Sequence, residues 1–143
     1  MVNCELFNNV SEEEFQKIYK CFNIRNIFFK KEQNILSNIQ NAGTIGIVIT
    51  GDAQLVRLDY SGTRTLLQEY SAGDVFGGIF SNISNGEISV QAKTDTEILF
   101  LDYDHIINRC KKNCPFHNTI IQNMIQILSK RIYKQKKNYY KFF

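Results

Sequence analysis

From residue 51 to residue 78 turn signals recur at a steady spacing, and that spacing leaves few folds open to the chain. Gly51-Asp52 is followed by Asp59-Tyr60-Ser61-Gly62-Thr63 and then by Ser71-Ala72-Gly73-Asp74-Val75-Phe76-Gly77-Gly78. Glycine reaches positive φ without steric penalty, and Asp or Ser hydrogen-bonds its own backbone, so each cluster is a turn with a mechanism. Between the turns lie short apolar or alternating runs: Ile45 to Ile49, Ala53 to Leu58 and Thr65 to Tyr70. Short strands at roughly 8–12-residue spacing mark an antiparallel sandwich or barrel. Ile24 to Phe29 opens the β region, and Ile88 to Leu101 closes it as two strands around Thr94-Asp95. The barrel is thus expected at about residues 24–102.

Helices are expected on both sides of it. Ser11-Glu12-Glu13-Glu14 is a capping box, with Val10 placed to staple against Phe15. Phe15, Ile18, Tyr19 and Phe22 then recur at helical spacing and predict one core-facing stripe. After the barrel, 102–112 reads as a short helix, with Asp102 or Asp104 at its start and Lys111 and Lys112 at its end to suit the dipole. Pro115, the only proline, suits the first turn of a longer helix over about 115–140. The apolar face of that helix is too wide for one contact. Ile121, Met124, Leu128 and Gln135 step along it as a seam for a partner helix, which leaves Ile120, Ile125, Ile127 and Ile132 for the barrel. At ~1.5 Å per residue the helix is on the order of 35–40 Å long, more than a barrel of this size covers.

A chain of 143 residues is long enough to bury a core as one domain without staples. No run approaches the ~18 apolar residues of a membrane helix, and the start lacks a signal-peptide core, so a cytoplasmic chain with no membrane partner is expected. In that compartment Cys4, Cys21, Cys110 and Cys114 are expected as free thiols. Charge is unevenly placed. Residues 130–143 hold six of the 17 bases and none of the 14 acids, so a tail of +6 follows a body of −3.

The order of elements resembles the sensor domain of the catabolite-activator/FNR (CRP/FNR) transcription regulators. Leu6-Phe7 with the Ser11 helix resembles that family's opening, Gly51-Asp52-Ala53-Gln54-Leu55 its "G-x-v-x-L" hairpin, and Asp59 to Thr63 its "D-x-x-G-x" turn. Gly73-Asp74-Val75-Phe76-Gly77 matches its "G-D-x-F-G", and Val90-Gln91-Ala92-Lys93-Thr94 resembles the strand after its phosphate cassette. Together these cover roughly residues 5–140. The resemblance implies a mainly β fold with α: a double-stranded β-helix (jelly roll) barrel, a short N-terminal helix and a long C-terminal dimerisation helix, all one domain over 1–143. The cassette would be lined by Gly73, Asp74, Phe76, Gly77, Gly78, Ile79, Glu87, Ile88 and Ser89. The dimer helix would present Ile121, Met124, Ile125, Leu128 and Ile132.

The chemistry of that cassette is the next test. A cyclic phosphodiester needs backbone N–H groups and an arginine whose planar fork grips two oxygens. In the family a Glu follows "F-G" and an "R-[ST]-A" sequence supplies the cation. Here Gly78 takes the Glu position, the cassette ends Gly86-Glu87-Ile88-Ser89-Val90, and no basic residue occurs between Arg64 and Lys93. An anion buried beside Glu87 without a cation is costly, so cyclic AMP binding in the usual mode is not expected. Ile79, Phe80, Ile83 and Ile88 favour a filled or apolar pocket. Glu87 and Ser89 read either as contacts to another ligand or as solvent-facing residues, and Gly77-Gly78 as room for a ligand or as a turn.

Catalysis is not expected. A cupin-type metal site needs at least two His and a carboxylate on inward strand positions, and His105 and His117 both lie in the helical block. Iron–sulfur ligation draws on closely spaced thiolates, and Cys110-x₃-Cys114 is the only close pair. No metal and no cofactor is therefore expected, although an unidentified small-molecule effector remains open. In the family the long helix leads into a winged helix-turn-helix, so DNA contact is expected only through a domain outside this chain. The aromatics among the tail lysines fit a cut edge. The resulting reading is an effector-sensing, homodimeric domain of a CRP/FNR-like bacterial regulator. Its alternatives are a ligand-independent dimerisation scaffold with a filled pocket and, behind that, a cupin-like enzyme.

Overall fold

The computed structural model describes residues 3–37, 43–77, 87–108 and 115–140. After a 3₁₀ turn at Glu5–Phe7 come α1 (Glu12–Cys21), β1 (Arg25–Phe29), β2 (Asn34–Ser37), β3 (Thr44–Thr50), β4 (Ala53–Leu58), β5 (Arg64–Tyr70), β6 (Val75–Gly77), β7 (Glu87–Ala92), β8 (Thr96–Asp102), α2 (Tyr103–Ile107) and α3 (Phe116–Tyr140). The strands form two four-stranded antiparallel sheets, ordered β1-β8-β3-β6 and β2-β7-β4-β5. This is the jelly-roll barrel with flanking helices that the turn spacing and the resemblance imply.

The alternation of side chains builds two cores on either side of one wall. Along β8, Ile98 and Phe100 point into the barrel while Leu99 and Leu101 point out toward the helices. In β3, Ile45 and Ile47 likewise join the outer core, and Val48 the inner one. The outer core is closed by Leu6, Phe7, Phe15, Ile18, Phe22, Phe116, Ile120, Met124 and Ile127. The inner core collects Leu55, Tyr70, Phe76, Ile88 and Val90. β8 and the middle of β3 are therefore apolar on both faces, whereas β7 alternates apolar and polar.

Local chemistry accounts for the helices. Ser11 Oγ accepts from the Glu14 N–H at 3.1 Å, and the Glu14 carboxylate accepts from the Ser11 N–H at 3.1 Å, which closes the capping box. Tyr19 departs from the expected stripe. It lies at the edge, partly exposed, because its hydroxyl donates to Asn26 Oδ1 at 2.7 Å rather than entering the core.

α2 stops at Ile107, short of the expected 102–112, and Lys111 and Lys112 lie outside the described residues. Asp102 closes β8 and makes no side-chain cap, because its carboxylate meets Arg25 at 3.4 Å and Asn23 at 3.3 Å.

α3 corrects the division of its apolar face. Phe116, Ile120, Asn123, Met124 and Ile127 form the buried stripe, and Met124, at 4% exposure, belongs to the chain's own core rather than to a seam. Ile125 and Ile132, which the spacing assigns to the barrel and the resemblance to the dimer helix, are each 55% exposed. A period of 3.6 places them about a third of a turn from that stripe.

Candidate functional site

The turn that leads into the cassette is a closed backbone circuit. The Gly73 N–H donates to the Val48 carbonyl at 2.8 Å, and the Val48 N–H donates to the Asp74 carbonyl at 3.1 Å. Asp74 Oδ2 accepts from the Ser71 N–H at 2.8 Å, so this carboxylate holds the turn. Gly73 sits at φ +93°, and a Cβ there would come within 2.8 Å of the Asn3 carbonyl oxygen. Glycine is required on both counts.

Phe76 then enters the barrel, fully buried, with its ring 5.3 Å from that of Tyr70. Ile88, also fully buried, joins the same inner core. Glu87 is exposed and Ser89 half-buried, and by strand alternation both face away from that core. As contacts to a ligand held inside the barrel they are therefore out of place. Gly77 ends β6 against Thr44 and Ile45, while Gly78 and Ile79, with Phe80, Ile83 and Gly86, lie outside the described residues.

Beside the circuit opens a cleft of about 400 Å³ between the N-terminal segment, the Ala72–Val75 turn and α3. Its walls include Glu5, Asn8, Asp74, Lys130 and Arg131. Lys130 Nζ meets Glu5 Oε1 at 3.1 Å across the rim, an exposed pair that salt screens. Arg131 Nη2 donates to the Val75 carbonyl, and the side chain is half-buried. Desolvation lowers the guanidinium's pKa, and the nearby Tyr70, Asp74 and Glu5 oppose that shift. Tyr70 is pushed up to about 12 and Cys4 to about 11, in both cases chiefly by burial.

Both groups hold their proton to higher pH in the folded chain than in the unfolded one, where their ordinary values are 10.0 and 9.0. The folded state then binds more protons across this window, so stability is intact below about pH 9 and falls as pH rises toward 12. The expected loss is on the order of 2–3 kcal/mol per group at the upper end. Urea titrations at intervals from pH 7 to 12 check this; Tyr70→Phe should flatten the upper half of the fall.

The other candidate residues sit apart from this turn. His105 is exposed, with Nδ1 3.1 Å from the Cys21 carbonyl oxygen. His117 is buried between Phe22 and Phe116, with Nε2 3.2 Å from the His105 carbonyl oxygen. Among the described residues no group of three or more His, Cys, Asp or Glu could hold a metal ion. Cys110 and Cys114 lie outside the described residues, and Cys4 and Cys21 are free thiols. Among the described residues no helix is long and apolar enough to cross a membrane.

On α3, Ile121 and Leu128 are half-buried beside the exposed Ile125 and Ile132. Two residues make long-range contacts that the sequence does not announce. Asn123 Nδ2 donates to the Leu6 and Asn8 carbonyls at 2.9 and 2.7 Å, pinning the N-terminal segment to α3. Arg131, by sequence one of the six tail charges, reaches the Val75 carbonyl. Both stand on the repeat 116-120-123-127-131, the spacing of a buried stripe, which was the available signal.

The cyclic nucleotide-binding domain family model matches residues 26–113, more than half of the chain. No curated protein matches it by sequence. Among solved structures, the catabolite activator protein of Thermus thermophilus superposes with a TM-score of 0.71 at 20% identity, covering 94% of this chain and 61% of that one. The chain thus spans less than two thirds of that protein's length. The sensor domain of the transcriptional regulator DNR from Pseudomonas aeruginosa gives 0.68 at 15% identity, covering 93% of this chain and 86% of that one. The regulatory subunit of a cAMP-independent protein kinase A from Trypanosoma brucei gives 0.64 at 19% identity, covering 94% and 47%. A triple mutant of that subunit, in which one substitution introduces an arginine, is bound to cAMP. At these identities the likeness is one of fold.

Proposed function

Because the chain belongs to the cyclic nucleotide-binding domain family, we propose that it serves as the effector-sensing and dimerisation domain of a CRP/FNR-like transcription regulator and does not take cyclic AMP in the usual way. The observation that carries the reading is the row Ile121, Ile125, Leu128 and Ile132 on α3. These residues step by four, three and four along the helix and stand half-buried or exposed at the edge of its core contact. Such spacing is an a/d seam for a second helix, and the second copy of α3 is its natural occupant. Gly78 in place of the cassette Glu, with no base between Arg64 and Lys93, supports the second half of the proposal. So does the trypanosome subunit, which has this fold and is described as cAMP-independent. The proposal gives DNA contact to a separate domain and no catalytic step to this one.

Native mass spectrometry of the 143-residue chain, alone and with cyclic AMP or cyclic GMP, tests both halves. A dimer at concentrations on the order of tens of micromolar, unmoved by either nucleotide, is the expected result. Ile125→Glu should then give a folded monomer, because Ile125 is already exposed in the single chain and only a partner would be lost. Leu128→Glu is the poorer probe, since Leu128 also packs against the outer core. A parent chain that stays monomeric sinks the dimer reading; stoichiometric uptake of a cyclic nucleotide sinks the argument from the missing arginine. The scaffold alternative draws support from Tyr70, Phe76, Ile88 and Val90 filling the inner core. A dimer with no effector mass on it would favour that alternative.

A further inference from the structure

We infer that Arg131 is a positioning residue, which ties the turn of α3 that carries the dimer seam to the strand that feeds the cassette. The inference rests on the dimer reading above and adds the connection between its two halves. Its hydrogen bond runs from Nη2 to the backbone carbonyl of Val75, the first residue of β6. β6 is three residues long and ends at Gly77, immediately before the cassette segment. Among the described residues it pairs with β3 alone, through Ile45↔Gly77, Gly46↔Phe76 and Ile47↔Val75. A strand so short moves as a unit with whatever is attached to it.

Arg131 provides that attachment from a defined place on the helix. It follows Leu128 by three residues and precedes Ile132 by one, so all three share one turn. Its own direction is inward, half-buried over the circuit of Gly73, Asp74 and Val48. The Asp74 carboxylate lies close enough to act on the guanidinium electrostatically, which helps to hold it there. A guanidinium is planar and always charged, so its bond to a carbonyl has a fixed direction and does not titrate away at ordinary pH. Displacing β6 therefore turns or slides this helical turn, and with it the faces that Leu128 and Ile132 offer a partner. The neighbouring Lys130–Glu5 pair is exposed at both ends and lacks that directional hold.

The test uses the whole 143-residue chain with Arg131→Leu, Arg131→Gln and Arg131→Lys, read by sedimentation equilibrium and by amide exchange resolved to strands. In Arg131→Leu the dimer dissociation constant should rise on the order of tenfold, within the range of ordinary coupling between sites. Exchange at Val75–Gly77 should quicken by a similar factor while the β4–β7 ladder keeps its rate. Arg131→Lys, which retains a charge and a donor, should recover part of both effects. Arg131→Gln is read in parallel in case a leucine in this polar cleft unfolds the chain. Dimerisation within twofold of the parent together with unchanged β6 exchange would overturn the inference. If the parent itself is monomeric, the dimer reading fails separately, and the exchange of β6 alone decides whether Arg131 holds that strand.

Discussion

Phe76→Ala is expected to cost about 3–5 kcal/mol, the range for removing a fully enclosed phenylalanine, and to be the most damaging single truncation in the barrel. Phe76 is wholly buried, with its ring against Tyr70 and directly over Gly46. A Cβ added at Gly46 would come within 2.3 Å of that ring, so even Gly46→Ala must displace it. Neither can yield easily, because Gly46 lies mid-strand in β3, paired with Phe76 on one side and Phe100 on the other. Gly46→Ala alone should therefore cost on the order of 1–3 kcal/mol through overpacking. The two changes should not add. Once the ring is gone, the methyl at residue 46 occupies part of the vacated space, and the double variant should recover about 1 kcal/mol or more relative to the sum. Urea unfolding of the two single variants and the double variant measures this. Additivity within about 0.5 kcal/mol would mean the ring does not rest on Gly46 in solution.

Asn123→Leu should be nearly as severe, by a different route. Its side-chain amide donates to the carbonyls of Leu6 and Asn8. Leucine leaves two carbonyls without their donor, that of Leu6 in a buried setting and that of Asn8 in a part-buried one. At about 1–3 kcal/mol for the buried group and about 1 kcal/mol for the part-buried one, a loss of roughly 2–4 kcal/mol is expected. In a chain of this length that lowers Tm by about 5–15 °C. The loss should also be local first. Amides of residues 4–10 should exchange faster well before the barrel opens, because the segment is otherwise held by Leu6 and Phe7 in the outer core. A melting temperature within a degree of the parent would show that the N-terminal segment is pinned by its apolar contacts alone.

The fold was legible for reasons that differ from element to element. β3, β4 and β5 carry alternating or continuous apolar runs between glycine turns, and both signals are local, so their limits fall within a residue or two of expectation. The helix at Ser11 announced itself by a capping box whose two bonds are both made. The faces of α3 were harder. Apolar residues surround much of that helix, and the sequence alone cannot say which third of the circumference meets the barrel. The seam spacing thus turns Met124 outward, whereas the packing buries it and leaves Ile125 exposed.

Polar residues with long-range partners were harder still. Asn123 and Arg131 find their acceptors 117 and 56 residues away in the chain. Nothing near either residue in sequence marks those partners. Glu87 and Ser89 show the converse. Their place beside the cassette suggested ligand contacts, yet the pleat that buries Ile88 turns both of its neighbours outward. The cassette candidates Gly78 and Ile79 fall between the described segments, so the site is read from the turn that leads into it.

The wall shared by the two cores has a consequence for how this chain can drift through evolution. Ile47 and Val48 are neighbours in β3 but answer to different surroundings, as do Leu99 and Phe100 in β8. Compensating changes should therefore run across a core rather than along a strand. Volume gained at Ile47 or Leu99 would be balanced in α1 or α3; volume gained at Val48 or Phe100 would be balanced at Tyr70 or Phe76. In a lineage of relatives, positions 47 and 48 should vary almost independently, each bound to partners far away in the chain.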